Sequence, residues 1–209
     1  PRGAGYWIWK HEIINNVLEN INKGDLVVYS DSGSSFNYFA KNRFYEYVDM
    51  LNQSEYGNFR IECESIHKEN IWTTAELFNY FNIDTDSNLA RNTQLEATHM
   101  IFKNSLHTDN YINEYKKLLD FDPYLITDKY NLSGQINGFK ENRHDQSIFS
   151  LLSKLHGGVT IKNETHFTKQ KNTQINYPFL AVRKHGHGLK DTVKYLTNHK
   201  EMKYTPVYF

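Results

Sequence analysis

The chain of 209 residues is long enough for one domain with a substantial hydrophobic core. Its 24 Lys and Arg residues balance its 24 Asp and Glu residues, which argues against the basic surface that nucleic-acid binding needs. No run of about 18 apolar residues predicts a transmembrane segment, and the single Cys63 excludes an intrachain disulfide framework and a cysteine-rich zinc site. A lone cysteine fits a reducing compartment, so we expect a cytoplasmic protein.

The first third of the chain predicts alternating helices and strands. Apolar residues at helical spacing predict a helix over 8–21, with Gly24 as its C-cap. The apolar run at 26–30 predicts a buried strand, 36–51 predicts an amphipathic helix, and 59–63 alternates as a strand does. A helix, a short glycine turn and a buried strand are typical of largely parallel sheets covered by helices.

The rest of the chain continues this alternation. Thr73 and Glu76 have the spacing of a capping box at a helix start. The later predicted elements are a strand over 95–103, a helix over 109–120, a loop over 121–140, a helix over 144–155 and a short strand over 159–161. No internal repeat or low-complexity linker divides the chain, so we predict a single domain over 1–209.

Asp31 is the first candidate functional residue, because it follows the buried strand at 26–30 directly. Ligands of open α/β sheets bind beyond the carboxyl ends of the strands, and a carboxylate there suits a hard divalent cation. The alternative is that Asp31 caps the following helix through its side chain, which is a common role for aspartate.

Two further polar segments are candidates. In the segment 141–147, Asp145 and Gln146 stand in the first turn of an apolar helix, where they can face a cleft or merely cap the helix. In the segment 183–190, two histidines flank a glycine beside basic residues, which suits a metal ion and phosphate or simply a solvated loop.

Glu96 and His99 lie within an otherwise apolar strand. Since buried polar groups need partners, these side chains either line a cleft or lie on the solvent face of that strand.

Five segments together resemble a group of bacterial and viral glycosyltransferases of the GT-A type, over about residues 3–165. They occur in the order GYWIWK, GDLVVYSDSG, WTTAELF, TQLEATHMIFKN and ENRHDQSIFSLL. The resemblance implies a nucleotide-sugar-dependent enzyme with a Rossmann-type, mostly parallel sheet flanked by helices. Such folds open with a strand, a helix and a second strand that bind the base. Here the first element is a helix, so we expect the catalytic domain to be N-terminally incomplete.

GT-A enzymes usually carry an Asp-x-Asp motif at a strand end, which holds Mn or Mg against the donor's diphosphate. Asp31 matches the first aspartate of this motif, whereas Gly33 stands where the second is expected. This departure puts metal dependence in doubt. Gly33 would instead let the backbone approach the donor, with the Ser32 hydroxyl beside it.

A partial similarity extends to the retaining family that includes glycogenin and bacterial lipopolysaccharide galactosyltransferases. Asp145 and Gln146 resemble its Asp-Gln pair beside the donor sugar. His185 and Gly188 match its late His-x-x-Gly segment, in which the histidine binds metal, although Lys190 stands one residue early for the phosphate-binding lysine.

The resemblance implies transfer of a sugar from a UDP- or GDP-sugar to a glycan, protein or lipid acceptor, with Mn as the expected cation. The implied catalytic residues are Asp145, Gln146 and Glu96, the donor-binding residues are Asp31, Ser32, Gly33, Arg143, His144 and Lys190, and the metal ligands are Asp31, His185 and His187. Two alternatives stay open: a non-catalytic sugar-binding domain on a GT-A scaffold, and a metal-dependent phosphohydrolase that uses the His144–Asp145 pair.

Overall fold

The computed structural model describes residues 2–166 and 176–181. The predicted metal ligands His185 and His187 and the predicted phosphate-binding Lys190 lie outside the described residues. Within the described ranges, no helix combines the length and the apolar composition that crossing a membrane requires.

The described chain alternates helices and strands. Its helices are α1 (Gly3–Tyr6), α2 (Lys10–Glu19), α3 (Lys41–Asn52), α4 (Glu69–Trp72), α5 (Ala75–Tyr80), α6 (Asn88–Arg91), α7 (Leu106–Phe121) and α8 (Asp145–His156). Its strands are β1 (Leu26–Ser30), β2 (Ser35–Phe36), β3 (Asn58–Glu62), β4 (Leu95–Lys103), β5 (Val159–Ile161) and β6 (Phe179–Leu180). Short 3-10 helices span Tyr38–Ala40 and Pro123–Ile126.

The main sheet has the order β1-β4-β3-β5. Strand β4 is antiparallel to both of its neighbours, β1 and β3, and Ser30 of β1 lies opposite His99 of β4. In this sheet only β3 and β5 pair in parallel. The mixed α/β class predicted from the sequence is confirmed. The mostly parallel sheet is not, because two of the three pairings are antiparallel.

Burial on both faces of the sheet explains why the apolar strand sequences predicted a parallel sheet. Strand β4 is buried at all but two of its nine positions, because helices α2, α7 and α8 pack against one face and α3 with β6 covers the other. An antiparallel strand covered on both sides has the same continuous apolar sequence as a parallel one. Strands β1, β3 and β5 still share one direction, so their carboxyl ends meet at one edge of the sheet.

Several element boundaries differ from the sequence-based predictions. Helix α3 begins at Lys41, because Ser35 and Phe36 form β2 and pair with β6. Thr74 caps α5 by accepting from the Leu77 amide. Helix α2 ends at Glu19, and Gly24 is not its C-cap but takes a positive φ of 93° in the turn that leads into β1.

Candidate functional site

A buried lysine joins two aspartates at the carboxyl edge of the sheet. Lys10 Nζ lies 3.0 Å from Asp31 Oδ1 and 2.7 Å from Asp145 Oδ2. Lys10 is 2% exposed and Asp145 4%, whereas the Asp31 side chain is 31% exposed. The cluster Lys10–Asp31–Asp145 therefore contains one carboxylate that solvent reaches and one that it does not.

Three element ends bring this cluster together. Lys10 is the first residue of α2, Asp31 follows β1, and Asp145 is the first residue of α8. Lys10 Nζ also donates to the Ala97 carbonyl on β4 at 3.0 Å, and the Tyr29 hydroxyl donates to Asp31 Oδ1 at 2.9 Å. These bonds fix the ammonium against the central strand.

The burial of this cluster changes its titration. Burial raises the pKa of Asp145 from 3.8 to about 6, although the ion pair with Lys10 opposes the rise. Burial, followed by the Asp31 carboxylate, raises the pKa of Tyr29 well above its usual value. Tyr29 therefore stays a hydrogen-bond donor at neutral pH, and Lys10 is what keeps the buried Asp145 carboxylate charged.

The capping alternative for Asp31 is wrong: its side chain bonds Tyr29 and pairs with Lys10, and Asn37 caps the 3-10 helix that follows. The Asp145 side chain pairs with Lys10 and also accepts from the Gln146 backbone amide in the first turn of α8, as the capping alternative expects. The expectation that Asp145 faces a cleft is also wrong, because its side chain points into the fold toward Lys10. Gln146 is partly exposed, and its amide donates to Gln94 Oε1 at 2.7 Å.

The turn after Asp31 is open. Ser32 and Gly33 are exposed, and the Ser34 amide donates to the Asp31 carbonyl at 3.0 Å. A Cβ built on Gly33 would meet no atom of the described residues within 4 Å. Packing leaves room for a ligand beside Asp31.

His144 occupies a strained position directly before Asp145. Its φ of 55° and ψ of −123° are costly for a residue with a side chain, by about 1–3 kcal/mol. Its Nε2 lies 2.9 Å from Asp128 Oδ1, and its ring packs against Tyr6 and Trp7. At 3% exposure, the His144 side chain is not accessible to a ligand, and it holds the start of α8 in place.

Arg143 belongs to a basic and aromatic cluster around Trp72. The Arg143 guanidinium carbon lies 3.9 Å from the centroid of the Trp72 ring and Lys140 Nζ lies 5.3 Å from it. The His67 ring lies 5.5 Å from the same ring. Burial lowers the pKa of His67, and the nearby Arg143 charge adds to this. Such a concentration of positive charge suits an anion.

Glu96 lies neither on the solvent face nor in a cleft. It is 1% exposed, and its Oε1 lies 2.9 Å from His99 Nδ1. Its Oε2 accepts from Thr165 Oγ1 at 2.8 Å and lies 3.3 Å from His166 Nδ1. Burial raises the pKa of Glu96, but the bonds from His166 and His99 outweigh it and hold that pKa at about 2. Glu96 is therefore a buried, charged carboxylate.

A groove of about 1330 Å³ follows β5, from Tyr56 and Gly157 before β3 and β5 to Glu62 and Lys162 at their carboxyl ends. We call it the β5 groove; its lining includes Glu62, Cys63, Leu95, Lys162, His166 and Tyr177. Neither Asp31 nor Asp145 lines it. The Lys10–Asp31–Asp145 cluster and the part of the β5 groove around Glu62 and Lys162 both lie at the carboxyl edge of the sheet, beside its two outer strands β1 and β5.

The described residues contain only part of the predicted Mn²⁺ site. Asp31 is the only one of the three predicted metal ligands among them, and Lys10 and Tyr29 already neutralise and bind its Oδ1. No group of three or more His, Cys, Asp and Glu side chains in the described ranges is placed to hold a metal ion. These residues alone do not fit a Mn²⁺ site.

Three residues at this edge were not among the predicted site residues. Lys10 stands inside the YWIWK segment, where a charge among aromatic residues at a helix start is a usable signal. Gln94 lies within the quoted strand segment and bonds Gln146. His166 had no sequence signal, because nothing near it in the chain indicates its contact with Glu96.

No protein-family model, curated protein or solved structure matches this chain.

Proposed function

We propose that the chain is a glycosyltransferase that moves a sugar from a nucleotide-sugar donor to a carbohydrate or glycoconjugate acceptor. The Lys10–Asp31–Asp145 cluster carries this proposal. It lies at the edge where β1, β3 and β5 end, and α/β sheets bind nucleotides beyond the carboxyl ends of such strands. The common direction of these strands supports a GT-A type fold, although the antiparallel β4 departs from a simple parallel sheet.

Asp31 and Gln146 would contact the donor's sugar or ribose. Asp31 is partly exposed beside the open turn at Ser32 and Gly33, so its free carboxylate oxygen can accept from a hydroxyl. Gln146 is partly exposed at the start of α8. Both side chains are held by buried partners, Lys10 and Gln94, which fixes their position before a ligand binds.

The basic cluster around Trp72 would bind the donor's diphosphate. Arg143 and Lys140 supply positive charge there, and a guanidinium matches phosphate oxygens well. Charge develops on the nucleoside diphosphate as it leaves, and cations already in place stabilise it. Lys190 stays a proposed second phosphate ligand. Mn²⁺ stays a proposed cofactor, which would supply further positive charge to the diphosphate.

A nucleotide screen tests the proposal. UDP, GDP and CDP are added to the protein with and without Mn²⁺, and the melting temperature is measured. A bound nucleotide raises the melting temperature by mass action. At a concentration 100 times the Kd, it adds about 2.7 kcal/mol to the free energy of unfolding. Active nucleotides are then offered as sugar donors, and hydrolysis or transfer is followed. If no nucleotide shifts the melting temperature and no donor is turned over, the proposal is contradicted.

The phosphohydrolase alternative gains no support from the geometry. His144 binds Asp128 and Asp145 pairs with Lys10, so the two neighbouring side chains do not converge on one ligand. A sugar-binding domain without catalysis predicts a different result in the screen, namely binding of a carbohydrate without binding of any nucleotide.

Replacing Gln146 with alanine is expected to lower turnover at least tenfold while changing the free energy of unfolding by about 1 kcal/mol. The substitution removes a donor-facing amide and one hydrogen bond to Gln94. Steady-state transfer and urea unfolding measure the two effects. Gln53→Ala, at an exposed glutamine after α3, is the matched control. Normal turnover in a destabilised Gln146→Ala protein would make Gln146 a structural residue.

A further inference from the structure

The β5 groove has the chemistry of a carbohydrate site. Tyr56 and Tyr177 supply aromatic rings on its wall, and Asn92, Asn163 and Glu62 supply hydrogen-bonding groups. Sugars are bound by this combination, because their apolar faces stack on rings and their hydroxyls need polar partners.

One histidine in the groove wall is held by a buried carboxylate. His166 lines the groove with a side chain that is 35% exposed, and its Nδ1 lies 3.3 Å from the fully buried Glu96 Oε2. Thr165 Oγ1 lies 2.9 Å from the same nitrogen. Because Nδ1 is engaged by Glu96 and Thr165, Nε2 is the ring nitrogen left for a ligand.

The charged groups around His166 favour this arrangement. Glu96 is the closest, and His99 binds its other oxygen on the side away from the groove. Arg60 is fully buried and donates to the Glu96 carbonyl at 2.6 Å, which fixes this part of β4. Lys162 is paired with Glu62 across the groove wall. Glu96 is thus a rigid, ionised partner that fixes the orientation of the His166 ring.

Gln94 connects the groove to the proposed donor-binding residues. The Gln146 amide donates to Gln94 Oε1, and the backbone amide of Cys63, which lines the groove, donates to the Gln94 carbonyl. The Gln94 backbone amide donates to the carbonyl of His67, whose ring lies beside Trp72. The β5 groove therefore borders Gln146 and the basic cluster around Trp72, as an acceptor site must border a donor site.

We propose that His166 is the general base for the acceptor hydroxyl and that the β5 groove is the acceptor site of a transferase that inverts the anomeric configuration. This inference rests on the proposed function. Glu96 is the positioning residue that orients the imidazole.

The proposed step is a single displacement. His166 Nε2 takes the proton of the acceptor hydroxyl while the hydroxyl oxygen forms a bond to the donor's anomeric carbon. The bond from that carbon to the diphosphate oxygen breaks, and its electron pair leaves with the nucleoside diphosphate. His166 ends as an imidazolium beside the Glu96 carboxylate and returns its proton to solvent.

The test compares His166→Ala and His166→Gln with the parent protein, using the donor and acceptor that the parent accepts. A lost general base lowers kcat by about 10²–10⁴-fold. We expect a fall in this range, with an unchanged melting-temperature shift on nucleotide binding. Added imidazole is expected to restore part of the activity of His166→Ala, which a structural histidine would not allow. His156→Ala, at an exposed histidine outside the β5 groove, is the matched control.

The outcomes separate the two proposals. If the parent neither binds nucleotides nor transfers a sugar, the proposed function fails. If the parent is active and both His166 variants keep kcat within tenfold, the general-base assignment fails alone. NMR of the product adds an independent result: an inverted anomeric centre supports the assignment, and a retained one overturns it. His166→Gln keeps a polar side chain at this position, so the test does not depend on how well His166→Ala folds.

Discussion

Replacing Lys10 with methionine is expected to lower the free energy of unfolding by about 3–5 kcal/mol at pH 8, the usual cost of breaking a buried ion pair. Methionine fills much of the same volume but leaves the Asp145 carboxylate, 4% exposed, without its cation. The Ala97 carbonyl also loses a donor. Urea unfolding of the two proteins measures the difference.

The loss should depend on pH in a defined direction. The pKa of Asp145 is raised to about 6 in the folded protein, so the protonated carboxyl stabilises the fold. This stabilisation is lost as the pH rises through 6 and the buried carboxyl becomes charged. Without Lys10 the pKa rises further, because the ion pair that opposed the rise is gone. The penalty of Lys10→Met is therefore expected to be largest above pH 6 and to shrink toward pH 4.

Two further variants isolate the cause. Lys23→Met removes an exposed lysine that pairs with Asp109 and is expected to change the free energy of unfolding by less than about 1 kcal/mol. Adding Asp145→Asn to Lys10→Met removes the unpaired charge and should recover part of the loss. An equal penalty at pH 5 and pH 8, with no recovery in the double variant, would show that the Asp145 charge is not responsible.

Asp31→Asn is expected to reduce sugar transfer by more than 100-fold while leaving the fold intact. The asparagine carbonyl oxygen can still accept from Tyr29 and Lys10, and Lys10 keeps its pair with Asp145. What is lost is the partly exposed negative charge that faces the proposed donor site. Steady-state kinetics and urea unfolding, run side by side, check both halves of this expectation.

Asp109→Asn serves as the control for Asp31→Asn, because it neutralises a partly exposed aspartate that also pairs with a lysine. Activity of Asp31→Asn within about tenfold of the parent, or about 1.4 kcal/mol of barrier, would make Asp31 a structural anchor for Lys10.

Local elements were predictable from the sequence because their signals are local. The strand over 95–103 and the short strand over 159–161 were predicted at the bounds that the structure shows. The helix predicted over 144–155 is α8, which begins and ends one residue later in the structure. Strand direction was not predictable in this way. It depends on which strands pair, and β4 pairs with β1 over a long sequence separation.

The site was predictable only as a set of residues. Asp31 and Asp145 were singled out from their places at a strand end and a helix start, but their sequence positions do not show that Lys10 lies between them. The direction of a first-turn side chain follows from what packs against the helix, so Asp145 was expected outside and lies inside. His166 reaches Glu96 from 70 residues away along the chain.

The order of the strands has a consequence for the newly synthesised chain. Strand β4 lies between β1 and β3, and the ribosome makes it after both. In the described sheet β1 pairs only with β4, and β3 pairs only with β4 and the still later β5. Until Lys103 has emerged, two apolar strands have open edges, which are sites of aggregation. Nascent chains stalled before β4 should therefore be the ones that chaperones capture, and any split of the gene between β3 and β4 should yield an insoluble first half.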